Sequence, residues 1–310
     1  MKSMYRYGDW PWPQLNVMIL RTPAAFLFWT GWQVPMDVLG LLNNERSLYA
    51  RQWHVSAKHL EKNGYYRWMA SWLTGYQRIL DIGIGTGQGV LALLERGHVV
   101  VGIEENPVCL GIAKTRLTNA GKNVVCETRG RAVVSAPESY SIQYCPPRSS
   151  TPAYGALLME GDVLHDDPLI EWLMKHGLFD GVTCWCVGTH GGRPSHDVVK
   201  KRSVSTSGEY RLVVQNAIYE LADKMLRPGG ILQVVDRQEE PSKDYLREDV
   251  LRAHREQASV TSLCVEGLEY LAYRDADSAG KVQLCLTPGA ERRVPDTLHP
   301  ALVSVISRKP

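Results

Sequence analysis

Beyond residue 75 the chain alternates short, continuous apolar runs with segments whose apolar residues recur at helical spacing, the signature of strands joined by crossover helices. Arg78-Ile-Leu-Asp-Ile-Gly83 reads as a buried strand ending in glycines, and Gln88 to Arg96 as a helix stopped by Gly97. His98 to Glu104 is continuous and β-branched, as a parallel strand covered on both faces should be. Asn106 caps the next helix with Pro107 at its first position, and that helix runs to about Asn119 before Gly121. Strands are predicted at Ala156–Glu160, Phe179–Val187 and Ile231–Val235, and helices at Glu209–Leu226 (ended by Arg227-Pro-Gly-Gly230) and Ser242–Ala258. Residues 264–273, 281–286 and 301–307 read as further strands. The pattern implies an α/β fold: a right-handed, doubly wound, mostly parallel seven-stranded sheet with helices on both faces. Two stretches break the rhythm. Residues 122–155 suit a β-hairpin insertion or a flap, and residues 188–208 form a long loop after the fourth strand.

Before residue 75 the pattern changes. Seven of the nine Trp lie before residue 73, and with Tyr and Phe this stretch holds 14 of 26 aromatics. Tyr49, Trp53, Ala57 and Leu60 share one helical face, and Tyr65, Met69 and Trp72 another. We therefore expect a helical, aromatic-rich extension over 1–75 and an α/β domain over 76–310 carrying the 122–155 insertion. Thr22 to Met36 is the longest uncharged stretch, but at about 15 residues with two prolines it is too short to span a bilayer.

Composition narrows the classes. With 44% hydrophobic and 22% charged residues the chain is globular, and Lys+Arg minus Asp+Glu is 35 − 33 = +2, which disfavours a protein that is wholly an anion trap. Seven scattered cysteines fit a reduced, cytoplasmic setting; Cys184 and Cys186 read as core thiols, and no cluster has zinc-ligand spacing. The sequence is silent on oligomeric state.

The strongest chemical signal is Asp81-Ile-Gly83-Ile-Gly85-Thr-Gly87, between a strand and a helix. Glycines at every second position allow a sharp turn and close approach of a ligand, and the helix beyond offers free N–H groups. Glu104, 23 residues after Asp81, ends the next strand, where a carboxylate can accept both hydroxyls of a ribose. The spacing G-x-G-x-G differs from the dinucleotide fingerprint G-x-G-x-x-G.

LDIGIGTG, VVVGIEENP, EGDVL, FDGVTCWCVGTH and MLRPGGILQVVD, in that order over residues 78–236, resemble the class I S-adenosylmethionine-dependent methyltransferases. The strands after 264 fit that family's terminal antiparallel strand. The resemblance implies S-adenosylmethionine as cofactor. Gly83, Gly85 and Gly87 would pass its methionine part, Asp81 would face its ammonium, and Glu104 would hold the ribose. Asp162 would accept from the adenine amino group while the Val163 backbone donates. His190 falls where related enzymes place a reactive histidine after the fourth strand, so His190 and His196 are candidate bases and Arg193 a candidate holder of a substrate carboxylate. Tyr49 and Trp53 are candidate lid and substrate contacts. The site where base-amino methylation needs an Asn/Asp/Ser-Pro-Pro-aromatic motif reads Trp185-Cys-Val-Gly, and no Pro-Cys nucleophile follows the fourth strand. The expectation is methyl transfer to O or N of a small, apolar or aromatic metabolite. The alternatives are an RNA or protein acceptor, gripped by the basic residues of 188–211 (Arg193, Lys200, Lys201, Arg202, Arg211), and a non-catalytic binder of the same fold.

Overall fold

The computed structural model describes residues 37–204, 206–277, 280 and 299–310. Trp10, Trp12, Trp29, Trp32, the apolar stretch 22–36 and the strand expected at 281–286 lie outside the described residues. In chain order the elements are α1 (Val38–Lys62), α2 (Tyr65–Ser71), β1 (Arg78–Ile82), α3 (Gln88–Glu95), β2 (Val99–Glu104), α4 (Pro107–Asn119), β3 (Val124–Glu127), β4 (Gly130–Ala136), β5 (Ser139–Tyr144), β6 (Ala156–Glu160), α5 (Asp167–Lys175), β7 (Phe179–Trp185), α6 (Asp197–Lys201), α7 (Ser207–Met225), β8 (Leu226–Glu239), α8 (Asp244–Ala258), β9 (Cys264–Ala272) and β10 (Pro300–Arg308).

One sheet runs β3-β6-β2-β1-β7-β8-β10-β9, and β10 is antiparallel to both its neighbours. Setting β3 aside, this is the Rossmann-like methyltransferase strand order, with the last strand inserted antiparallel beside the fifth. The sheet has eight strands, not the expected seven. The extra one, β3, comes from the 122–155 segment and pairs parallel with β6 at the edge. The rest of that segment forms the separate β4–β5 hairpin.

The continuous apolar runs have a direct cause: both faces of the sheet are covered. Leu80, Ile82, Val101, Ile103, Leu157 and Met159 pack on one side with Leu173 of α5 and Ile218 of α7. Ile79, Val100, Ala156 and Leu158 pack on the other with Val90 of α3, Leu110 of α4 and the aromatic helices α1 and α2. Each such aliphatic side chain contributes roughly 1.5–3 kcal/mol of hydrophobic stabilisation when fully buried. The stripe Trp53, Ala57 and Leu60 is thus core on α1, continuous with Tyr65 and Met69 on α2, while Trp72 just past α2 is 39% exposed. Asp37 starts α1 by accepting from the Gly40 N–H at 2.6 Å.

Candidate functional site

The parallel strands deliver their carboxyl ends to one edge, and the glycine turn lies there. After β1 the backbone folds back on β2, with the Gly83 and Ile84 N–H groups donating to Ile103 O at 2.8 and 3.2 Å. Gly83, Gly85 and Gly87 have φ of 78°, 54° and 85°, a region that favours glycine. Gly87 also caps α3, and a Cβ there would lie 2.9 Å from Ala113 Cα in α4. Gly87→Ala should therefore cost about 2–3 kcal/mol, a left-handed penalty plus overpacking against backbone. Gly97 has φ of 87° with open space around it, so Gly97→Ala should cost only about 1 kcal/mol. Urea melts of the two variants would isolate the α3–α4 contact.

Two buried carboxyls sit beside this turn. Asp81 accepts from the Thr183 hydroxyl at 2.7 Å, and burial pushes it up to about 7. Glu104 Oε2 accepts from the Gly85 N–H at 2.8 Å and Oε1 from the Asn106 N–H at 3.0 Å. Burial, aided by the Glu105 charge, pushes Glu104 up to about 7 as well. Glu104 therefore ties the end of β2 to the glycine turn and keeps lone pairs for a further donor.

A crevice of about 50 Å³ lies above the turn, lined by Gly83, Gly85, Glu104, Glu105, Val163, Val187, Gly188 and Tyr210, with Tyr49 and Trp53 of α1 across it. Cys186, just past β7, is in the left-handed region (φ 53°), a strain of roughly 1–2 kcal/mol where the chain turns to bring Val187 and Gly188 to the crevice. Its N–H donates to Val235 O at 2.7 Å, and burial pushes its thiol up to about 12, an inert group.

The glycine cradle and the Glu104 carboxylate suit an adenosyl group chemically. The volume does not: pockets for ligands of this size are about 300–1,000 Å³. The difference is filled by aromatic side chains. The Trp53 indole rests where a Cβ on Gly85 would stand, and the Tyr49 hydroxyl lies 2.5 Å from the place of one on Gly188. An adenosyl group could enter only if these two side chains moved.

Five expectations about the polar residues change. Arg193 is buried in an ion pair with Asp162, not open to a substrate carboxylate. Asp162 in turn holds His165 Nδ1 at 3.0 Å and the Leu164 N–H at 2.9 Å; Arg193 and His165 overcome burial and hold its carboxyl well below the usual range. That leaves little of Asp162 for an adenine amino group, whereas Val163 does line the crevice. His196 caps α6, its Nδ1 accepting from the Val198 N–H at 3.1 Å, and its ring packs on Tyr140 and His165. Burial pushes His196 down to about 3, so it is a neutral structural imidazole outside the crevice. His190 is also buried and outside the lining, its Nε2 lying 3.2 Å from Glu105 Oε1. Of the five basic residues expected to grip a polymer, Arg193 is buried on Asp162 and Arg211 is half-buried on Asp236, while Lys200, Lys201 and Arg202 are exposed, Lys200 bonding Glu138 O and Ser139 and Arg202 bonding Leu164 O.

Sequence reasoning missed Arg46, Glu105 and Tyr210. Arg46 had a signal, an arginine on the buried stripe one turn before Tyr49. Among the described residues no group of three or more His, Cys, Asp or Glu could hold a metal ion, and no helix is long and apolar enough to cross a membrane.

No protein-family model matches the chain, and no curated protein matches it. Among solved structures the chain is similar to M. jannaschii TYW2 in complex with AdoMet (TM-score 0.43, 10% identity, covering 81% of this chain and 77% of that one). It is also similar to a SAM-dependent methyltransferase from Methanosarcina mazei (TM-score 0.40, 11% identity, 77% and 95%). A third is the SAM-dependent methyltransferase from Agrobacterium tumefaciens (TM-score 0.40, 13% identity, 81% and 62%).

Proposed function

We propose that this chain is an S-adenosylmethionine-dependent methyltransferase acting on an oxygen or nitrogen of a small, apolar or aromatic acceptor. The observation that carries the reading is Glu104 at the end of β2, bonded to the Gly85 N–H inside a three-glycine turn at the end of β1. A carboxylate fixed there accepts ribose hydroxyls, and the glycines leave room for the chain beyond the ribose. When bound, the cofactor supplies a sulfonium methyl group that an acceptor lone pair displaces in line.

The chain's own residues position and dry that centre. Glu104 fixes the ribose, Val163 takes the adenine contact alone, and Tyr49 and Trp53 serve as the lid of an N-terminal helical cap that excludes water. Val187, Tyr210 and Val214 give the acceptor an apolar wall. No base from the histidines enters the crevice, which favours an acceptor that is already nucleophilic, or one whose proton leaves to water. Arg193 and Arg211 are spent on Asp162 and Asp236, which leaves Lys200, Lys201 and Arg202 as a small exposed basic patch and weighs against a polymer acceptor.

A second reading, a non-catalytic binder of the same fold, draws on the aromatic fill of the crevice. Titration calorimetry with S-adenosylmethionine and S-adenosylhomocysteine, followed by radiolabelled methyl transfer over a panel of phenols, amines and carboxylic acids, separates the two. Binding with turnover supports the first, and binding without turnover the second. No heat from folded protein removes the first reading and the cofactor-binding form of the second, leaving a binder of some other partner.

A further inference from the structure

We infer that Glu105 is a positioning residue that clamps α1 across the cofactor crevice, so that breaking its contact with Arg46 opens the site. The inference rests on the cofactor reading above for what the crevice admits. Its geometry stands apart from that reading.

Glu105 follows the ribose-binding Glu104, and its side chain joins the two walls of the crevice. Toward α1, Arg46 Nη2 lies 3.4 Å from Glu105 Oε2 and donates to Glu105 O at 3.1 Å. Toward the loop after β7, Glu105 Oε1 lies 3.2 Å from His190 Nε2, and Oε2 lies 3.8 Å from Arg193 Nη1. His190 and the two guanidinium groups outweigh burial and hold the Glu105 carboxyl well below the usual range. Asn106 adds a third tie, its Nδ2 donating to Arg46 O at 3.0 Å.

The lever is α1 itself. Buried Arg46, half-buried Tyr49 and buried Trp53 stand about one turn apart in succession on one face of α1. Tyr49 and Trp53 cannot leave Gly188 and Gly85 by a shift of α1 while Arg46 stays on Glu105. Arg46 is 5% exposed, so its departure leaves charges unpaired in a place poor in water, and the closed arrangement is strongly favoured. Glu105 lies in the crevice lining, but its polar ties all run to α1 and to the loop after β7, and through them it sets whether the crevice is open.

The test is hydrogen exchange by mass spectrometry on the full chain, with stopped-flow binding of S-adenosylhomocysteine. In Glu105→Gln, amides of α1 should exchange on the order of a hundredfold faster than in the wild type, while those of β1 and β2 keep their protection. The association rate for S-adenosylhomocysteine should rise about tenfold, because the open form is more populated. Arg46→Met, which leaves the sheet and the loop untouched, should show the same exchange pattern, and the double variant little more. Unchanged α1 protection in either single variant overturns the clamp. So does faster exchange spread equally over α1 and the sheet. If neither protein binds S-adenosylhomocysteine while the exchange pattern holds, the cofactor reading falls and the clamp on α1 stands.

Discussion

Arg129→Met should cost about 3–5 kcal/mol of stability, the typical loss when one partner of a buried ion pair is removed. Arg129 Nη1 and Nη2 hold Asp166 at 2.8 and 3.1 Å, and both side chains are almost wholly buried. The same guanidinium donates to Glu160 O at 2.9 Å and Cys145 O at 2.8 Å. Met would fill the space but leave Asp166 and two carbonyl oxygens without their donors. Burial raises the Asp166 carboxyl even with Arg129 beside it, so the intact pair is itself worth little, and the cost lies in breaking it. Arg129→Met/Asp166→Leu should therefore recover a good part of the loss, less the cap that Asp166 gives α5 through the Leu169 N–H. Urea melts of the wild type, the single and the double variant decide this. A single variant within about 1 kcal/mol of wild type would mean that Arg129 is not sealed from water as the geometry has it. The residue matters beyond stability. It anchors the β4–β5 hairpin, whose Tyr140 and Tyr144 pack on His196 and His165 and so steady the loop after β7.

These contacts also mark how far the sequence could be read. The parallel strands were legible because each is apolar on both faces, and the glycine turn because its three residues take left-handed backbone that favours glycine. β3 was not: its four residues are half-buried or exposed at the sheet edge, and neither a strand nor a helix period survives in so short a segment. The aromatic stripe of α1 was legible as a stripe, but not the surface it covers, since Trp53 meets Gly85 across 32 positions of chain. The charged residues were hardest. Arg193 and Asp162, 31 positions apart, satisfy each other, and Arg46 finds Glu105 at a separation of 59. Periodicity says nothing about partners at such distances, so residues that looked available for a ligand proved to be spent on one another. Glu105 is such a case: its partners Arg46, His190 and Arg193 lie 59, 85 and 88 positions away, and nothing local in the sequence marks it.

Glu104→Gln should weaken S-adenosylmethionine binding on the order of a hundredfold while making the stability of the unliganded protein fall less as pH rises. The first effect follows from losing charge-assisted acceptance of two ribose hydroxyls, roughly 1.5–3 kcal/mol each, of which a neutral amide oxygen keeps part. The second follows from linkage. Glu104 ordinarily titrates near 4.5 and is pushed up to about 7, so the folded state keeps a proton that the unfolded chain has released. Folding then loses up to about 1.4 kcal/mol per pH unit between those values. Asp81, pushed up from 3.8 to about 7, contributes in the same sense. His196 and His254, pushed down from 6.5 to about 3 and about 4, act oppositely, because the unfolded chain binds their protons first. The two pairs nearly cancel up to pH 6.5, and above it the carboxyls alone pull stability down to about pH 7. Gln at 104 removes one of those carboxyls, so the advantage of the variant should grow by about 2–3 kcal/mol from pH 5 to pH 8. Urea midpoints at the two pH values, with calorimetry at pH 8, measure both effects. An advantage that did not change with pH would mean that Glu104 is ionised in the folded chain well below neutrality, and that the cradle formed by the Gly85 and Asn106 N–H groups outweighs the burial of its charge.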